Sequence, residues 1–150
     1  MLEGGDPDKI RERLVAEGLQ TDSQAVAGVR AKFCCEYCGL DFLASVENFR
    51  QRQWDHIKPQ GDNGPDVPDN LVCSSKFCNC LKCSWNPSRV VKGSNPSREE
   101  LVEAGRNYIV NKKKKEQEPQ LQRWRKATGW RVRDRLMLMN GAASGGNPRS

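Results

Sequence analysis

Cysteines and the single histidine of the chain gather in the middle of this sequence, in an order that suits metal binding and hydrolysis. Cys35 and Cys38 come first, and His56 follows directly after Asp55. Asn79 lies among the members of a second cysteine group, which are Cys73, Cys78, Cys80 and Cys83. The thiols can hold a small scaffold around a metal ion, while the other side chains provide hard ligands and a base.

The first cysteine pair has Cys-x2-Cys spacing, which lets two thiolates reach one zinc ion from a tight turn. Zinc takes four such ligands, so a second pair is needed. We expect Cys73 and Cys78, because metal ligands usually flank a turn outside a helix and a helix is predicted to follow Cys78. Cys80 and Cys83 are the alternative, since they repeat the two-residue spacing. The other interpretation is that these cysteines are ordinary small core residues or free thiols that bind no metal.

The bulk composition predicts a soluble protein of a reducing compartment. The 150 residues are 36% hydrophobic with a mean hydropathy of -0.80, so one modest core is expected and a metal would help to hold it. Seven cysteines are an odd number, which argues against a complete disulfide framework. We see neither a signal peptide nor an apolar run of membrane-spanning length. A cytoplasmic protein of bacterial or phage type is the expectation.

Positive charge is concentrated in the C-terminal third. The net charge is +6, and residues 98–150 alone hold 13 basic against 6 acidic residues. Trp124 and Trp130 are interleaved there with cations, which are Arg123, Arg125, Lys126, Arg131, Arg133 and Arg135. Such a segment suits a polyanion such as nucleic acid, although a solvated tail with core tryptophans has the same composition.

Helical signals flank the central region. Asp6-Pro7 is typical of an N-cap followed by proline at the first helical position, with Gly18 near the stop. Thr21 opens a second helix within a capping box. Ser97 begins another capping box and a further helix, and residues 120–139 are predicted to form a basic helix that Gly129 breaks or kinks.

Two short extended segments are predicted between the cysteine groups. Residues 51–57 have the pattern of a strand, and residues 70–73 resume extended structure after a loop rich in glycine and proline. A short helix is expected to begin near Asn79 and to end before Asn86-Pro87, because the residue before proline disfavours helix. These elements would bring the Asp-His pair and Asn79 near the thiols.

The combined pattern resembles the zinc-containing HNH endonucleases, whose nuclease unit is the ββα-metal motif of phage endonuclease VII. The resemblance spans roughly residues 33–85. It is carried by Cys35-x2-Cys38, Asp55-His56-Ile57-x-Pro59, Asn70-Leu71-Val72 and Cys78-Asn79-x2-Lys82. One departure is that Ser75 occupies the position where the family usually has a cysteine. Cys73 lies two residues earlier on the same strand face, and we expect it to supply the missing thiolate.

The resemblance implies a role for each polar residue of the motif. His56 would be the general base, and Asp55 and Asn79 would hold one catalytic divalent cation, Mg²⁺ or Mn²⁺. Asn70 would brace the loop that orients His56, and Lys82 would contact a phosphate. The basic residues from Arg123 to Arg135 would then bind DNA, double-stranded or branched, and a homodimer would permit double-strand cleavage.

The resulting prediction is an α+β chain with a small zinc-stabilised ββα-metal core and flanking helices. Its segments would be an N-terminal helical segment (1–32), a zinc-bound HNH nuclease domain (33–110), a basic helical extension (111–139) and a disordered tail (140–150). Three alternatives remain open at this stage. They are a zinc-knuckle module that binds nucleic acid without cutting it, a structural zinc protein with a basic tail, and His56 as a fourth zinc ligand.

Overall fold

The computed structural model describes residues 5–129, which fall into two compact units. The first unit extends to Asn111 and the second begins at Lys112. The predicted separation of residues 1–32 from residues 33–110 stays a prediction. The predicted tail 140–150 lies outside the described residues, as do Trp130, Arg131, Arg133 and Arg135.

Two capped helices begin the first unit. Helix α1 (Pro7–Ala16) starts behind Asp6, whose Oδ1 accepts a hydrogen bond from the Asp8 amide at 3.1 Å. Helix α2 (Asp22–Arg30) starts with the predicted capping box, in which Thr21 and Gln24 satisfy each other's backbone amides. The α1 helix packs against α2, and α2 packs against the sheet.

The sheet consists of two antiparallel strands, β1 (Arg52–His56) and β2 (Leu71–Ser75). A short helix α3 (Val46–Arg50) precedes β1. The position of β1 agrees with the strand predicted for residues 51–57. Asp55 pairs with Val72 and Trp54 pairs with Cys73. Because side chains alternate along a strand, Asp55 and His56 leave β1 toward opposite faces of the sheet.

Helix α4 (Lys76–Lys82) follows β2 without a loop and completes a ββα arrangement, since it packs against both strands. It begins three residues before Asn79, the predicted start. The reason is Ser75, which is the N-cap: its Oγ accepts the Cys78 amide at 3.1 Å. Cys78 therefore lies in the first helical turn.

Helix α5 (Arg98–Lys112) closes the core of the first unit. Its predicted capping box is present, with the Glu100 amide donating to Ser97 Oγ at 3.2 Å and the Ser97 amide donating to Glu100 Oε2 at 2.8 Å. Val102 and Ile109 are buried in a cluster that also contains residues of both cysteine groups and of the sheet.

The second unit begins with a π-helical turn, Lys113–Gln117, and continues as helix α6 (Glu118–Thr128). Gly129 ends α6 with a φ of 65°, so the predicted helix breaks at the predicted residue. Trp124 is 66% exposed, so the alternative in which the two tryptophans are core residues is wrong for Trp124.

The mixture of helices with a small antiparallel sheet confirms the α+β class. Within residues 5–129, no helix has the length and apolar character needed to cross a membrane.

Candidate functional site

Three thiols from two elements converge in the first unit. Cys35 and Cys38 come from the turn before β1, and Cys78 comes from the first turn of α4; their Sγ atoms all lie within 4.8 Å of one another. Two thiolates bound to one tetrahedral zinc ion at about 2.3 Å would be roughly 3.8 Å apart. The cluster therefore fits such an ion after a small contraction.

The turn that carries Cys35 and Cys38 is shaped to hold sulfur. Gly39 closes it with a φ of 76°, where a side chain would be strained, and its amide donates to the Cys35 carbonyl at 2.8 Å. The backbone amides of Cys38 and Ser75 point at Cys35 Sγ, at 3.5 and 3.2 Å. Amides aimed at sulfur stabilise a thiolate, which is the form that binds zinc.

The charge state of the thiols agrees with a metal site. The hydrogen bond from Cys78 lowers the pKa of Cys35 to about 4, and the same bond raises the pKa of Cys78. The proximity of the two sulfurs thus favours a thiolate at Cys35. A metal ion binds cysteines as thiolates, and soft thiolates favour zinc.

The predicted fourth ligand, Cys73, is not part of this cluster, which is a correction to the expected set. A strand rises about 3.3 Å per residue, so Cys73 is displaced by roughly 6.6 Å from Ser75 along β2. Cys73 is fully buried, and this burial raises the pKa of its thiol to about 12. Ser75 instead lies beside the thiols, with its Oγ 3.8 Å from Cys38 Sγ.

The alternative ligands are also absent from the cluster. Cys80 and Cys83 are exposed, and neither is grouped with the three thiols or with His56 in the part of the chain that the structure describes. The Cys80–Cys83 alternative and the Cys₃His alternative are thereby corrected as well. A helix turns 100° per residue, so Cys80 leaves α4 on a different side from Cys78.

His56 ends β1 and faces a loop carboxylate. Its Nε2 lies 3.2 Å from Asp66 Oδ1, and its side chain is 18% exposed whereas that of Asp66 is 71% exposed. In a neutral imidazole, an Nε2 proton donated to Asp66 leaves Nδ1 as the free acceptor. His56 can therefore take a proton through Nδ1.

Asp55, the neighbour of His56, is buried within a polar network on the α4 side of the sheet. Tyr37 Oη donates to Asp55 Oδ2 at 2.7 Å, and Lys82 Nζ lies 3.2 Å from Oδ1 and 3.1 Å from Oδ2. Burial raises the pKa of Asp55, while the charge of Lys82 and the bond from Tyr37 oppose that rise.

Lys82 cannot act as the predicted phosphate contact in this arrangement. Its side chain is 1% exposed, and its ammonium is bonded to Asp55 and, at 2.8 Å, to the backbone carbonyl of His56. Its function here is to neutralise a buried carboxylate and to tie the end of β1 to α4. The prediction that Lys82 contacts DNA is therefore corrected.

Asn79 lies on α4, one helical turn before Lys82, and approaches the face of β1 that carries Asp55. Its Nδ2 donates to Gln53 Oε1 at 2.6 Å. Because the amide is planar, this bond turns the Asn79 oxygen away from Gln53, so that the oxygen can serve as a hard ligand.

Asn70 connects three points of the loop after His56. Its Oδ1 accepts the Lys58 amide at 2.9 Å, and its Nδ2 donates to the carbonyls of Lys58 and Pro65 at 3.0 and 2.8 Å. Gly64 permits the close loop, because a Cβ there would lie 1.8 Å from the Lys58 carbonyl oxygen. The loop that holds Asp66 is thus constrained from inside.

The described part of the predicted DNA-binding segment lies in the second unit. Arg123, Arg125 and Lys126 are exposed on α6, close to the exposed Trp124. Arg131, Arg133 and Arg135 are beyond the described residues, so their predicted contact with DNA stays a prediction.

Sequence reasoning did not identify Asp66 or Tyr37 as partners of the central residues. Both contacts join residues that are distant along the chain, by 10 and 18 positions respectively. The only available signal was position: Tyr37 lies inside the Cys-x2-Cys turn, and Asp66 lies in the loop that follows the Asp-His pair.

The family model described as HNH endonuclease matches residues 35–84, and this match contains every element from the Cys35 turn to α4. The predicted resemblance to the HNH endonucleases is thereby confirmed for this segment, which is one third of the chain. Searches of curated proteins and of solved structures return no match to the chain.

Proposed function

We propose that this protein is a metal-dependent DNA endonuclease that hydrolyses phosphodiester bonds. The observation that carries the proposal is that Asp55 of β1 and Asn79 of α4 approach the same face of the sheet, with His56 following Asp55 as the last residue of the strand, inside the segment that matches the HNH family. The HNH match supports a nuclease; the choice of DNA and of the residue roles is our inference.

His56 would act as the general base. Hydrolysis requires a proton to be removed from the attacking water, and an imidazole is suited to this at neutral pH. With Nε2 directed at Asp66, Nδ1 would accept that proton, and the pair with Asp66 would stabilise the imidazolium that forms.

Asp55 and Asn79 would hold one divalent cation, Mg²⁺ or Mn²⁺. Carboxylate and amide oxygens are the ligands that these hard ions prefer. The cation would supply Lewis acidity at the phosphoryl and leaving oxygens. Asp55 can accept a cation only if it shares its oxygens with Lys82, so the ammonium and the metal compete for the same charge.

A structural zinc ion would be held by Cys35, Cys38 and Cys78, and Ser75 Oγ lies 3.8 Å from the Cys38 sulfur. Asn70 would keep the His56 loop in place. The exposed cations of α6 would contribute sequence-independent contacts to DNA phosphates.

Cleavage of supercoiled plasmid and branched DNA, with and without Mg²⁺ or Mn²⁺, tests the proposal. We expect metal-dependent cleavage that His56→Ala lowers by about 10² to 10⁴, the usual contribution of a general base. Zinc content, thermal stability and DNA affinity should remain close to those of the wild type.

A wild-type protein that binds DNA but does not cut it with either metal ion would contradict the proposal. That result would favour a non-catalytic zinc-knuckle module that binds nucleic acid. Retention of cleavage by His56→Ala would instead remove His56 from the mechanism.

A further inference from the structure

Tyr37 connects the zinc-binding turn to the proposed cation site. It lies between Cys35 and Cys38, yet its hydroxyl crosses to β1 and donates to Asp55 Oδ2 at 2.7 Å. Both residues are buried, with 5% of Tyr37 and 6% of Asp55 exposed. A short bond between buried partners is strong, because little water competes for either group.

We infer that Tyr37 is a positioning residue that fixes Oδ2 of Asp55 and thereby holds the carboxylate in the orientation in which it would bind the divalent cation. The inference rests on the proposed function, in which Asp55 is a ligand of that cation.

The hydrogen bonds to Asp55 show which oxygen Tyr37 fixes. Each carboxylate oxygen accepts about two bonds. Oδ2 is approached by both Tyr37 Oη and Lys82 Nζ, Oδ1 is approached by Lys82 Nζ, and the backbone amide of His56 also donates to the carboxylate. Tyr37 therefore fixes Oδ2, and a cation bound to Asp55 would share the carboxylate with Lys82.

The ring of Tyr37 is held from its other side by α5. Gly105 faces it so closely that a Cβ there would lie 2.9 Å from Tyr37 Cε1. Arg106 fixes the backbone of the same turn by donating to the carbonyls of Tyr37 and Glu36, at 3.2 and 2.7 Å.

Glycine in the middle of a helix lowers the stability of that helix relative to alanine. At position 105 this cost coincides with the close approach of Tyr37, since any larger side chain would displace the ring. The turn, the ring and α5 therefore form one packed unit that ends at Asp55. Through this unit, the metal-binding turn sets the orientation of the carboxylate.

Tyr37→Phe tests the inference by removing only the hydroxyl. On zinc-loaded protein without DNA, we expect Mn²⁺ binding, followed by electron paramagnetic resonance, to weaken by about 10- to 100-fold, as for loss of a partner of a metal ligand. Cleavage should need a correspondingly higher metal concentration, with a smaller change in the rate at saturating metal. Zinc content should be unchanged.

Gly105→Ala provides a second variant that keeps the hydroxyl but displaces the ring, and it should weaken Mn²⁺ binding in the same direction. Tyr108→Phe is the matched control, because it makes the same chemical change on α5, where Tyr108 stacks on Trp85 at 4.3 Å. It should bind Mn²⁺ as the wild type does.

Wild-type Mn²⁺ affinity in Tyr37→Phe, together with loss of binding in Asp55→Asn, would overturn the inference and leave the proposed function intact. If Asp55→Asn also bound Mn²⁺ normally, the proposed cation site itself would be wrong, and the inference would fall with it.

Discussion

Lys82→Met tests whether the buried ion pair keeps Asp55 charged inside the protein. Methionine is close to lysine in length and fills a similar volume without a charge. The Lys82 side chain is 1% exposed and that of Asp55 is 7% exposed, so water cannot replace the lost ammonium. The substitution also removes the donor to the His56 carbonyl.

Breaking a buried ion pair by removing one partner costs about 3–5 kcal/mol. We expect about 3 kcal/mol for Lys82→Met, because Asp55 retains its hydrogen bond from Tyr37. For a chain of 150 residues, 1 kcal/mol shifts the melting temperature by roughly 2–4 °C. The variant should therefore melt roughly 6–12 °C below the wild type.

The deficit should depend on pH in a defined direction. Burial raises the pKa of Asp55, and loss of Lys82 raises it further, because the lysine charge had opposed the rise. When folding raises the pKa of a group, binding of the proton stabilises the folded state. This contribution to the free energy of unfolding is present at low pH and is lost as the pH rises through the folded-state pKa. The deficit of Lys82→Met should thus be large at neutral pH and shrink toward the ordinary Asp pKa of about 4.

Urea unfolding at several pH values, with zinc present and the wild type measured at each pH, gives these quantities. The control is Asp55→Asn combined with Lys82→Met, which removes both charges and should lie within about 1 kcal/mol of the wild type. A Lys82→Met cost below about 1 kcal/mol, or a double variant as unstable as the sum of the single ones, would refute the reasoning.

Three further predictions use other parts of the structure. Cys78→Ser should lose zinc, measured by metal analysis after dialysis, whereas Cys73→Ser should keep it; equal losses would restore Cys73 as a ligand. Asp66→Ala should lower cleavage at most about fivefold, because an exposed pair contributes about 1 kcal/mol or less; a loss as large as that of His56→Ala would contradict this. The last variant replaces three exposed cations of α6 by glutamine, namely Arg123, Arg125 and Lys126. It should weaken DNA binding and flatten its salt dependence, and an unchanged slope would exclude α6 from the interface.

Local signals in the sequence identified most of the elements. Thr21 and Ser97 predicted helix starts that the structure contains, since a capping box is formed by residues three positions apart. The strand at residues 51–57 and the tight turn of the first cysteine pair are likewise predicted from local patterns. In each case the physical cause is contained in a few consecutive residues.

The contacts of the site depend on distances that no local pattern contains. Lys82 follows the Cys-Asn pair in the family-like motif, which suggested a surface contact with phosphate. The packing of α4 against β1 buries it beside Asp55 instead. Asp66 and Tyr37 could not be paired with His56 and Asp55 from sequence, because their partners are brought near only when the loop and the sheet have formed.

The zinc ligands show how a single local signal could have corrected a wrong inference. Spacing suggested that Cys73 replaces the missing cysteine, whereas Ser75 is an N-cap, and N-caps are readable from sequence as Ser, Thr, Asp or Asn before a helix. A helix that is capped by Ser75 contains Cys78 in its first turn. Cys73 then lies two residues earlier on β2, displaced by roughly 6.6 Å from Ser75.

Ser75 also shows why a cysteine at this position is not simply a better choice. Its Oγ accepts the Cys78 amide at 3.1 Å, and its own amide donates to Cys35 Sγ at 3.2 Å, so it orders two of the three thiols. A cysteine would add a fourth thiolate, but sulfur is a weaker acceptor than a hydroxyl oxygen, and loss of a serine cap costs about 1 kcal/mol. The gain in metal affinity would thus be set against a less stable start of α4. Since α4 also carries Asn79 and Lys82, the cap at Ser75 supports the proposed cation site as well as the zinc cluster.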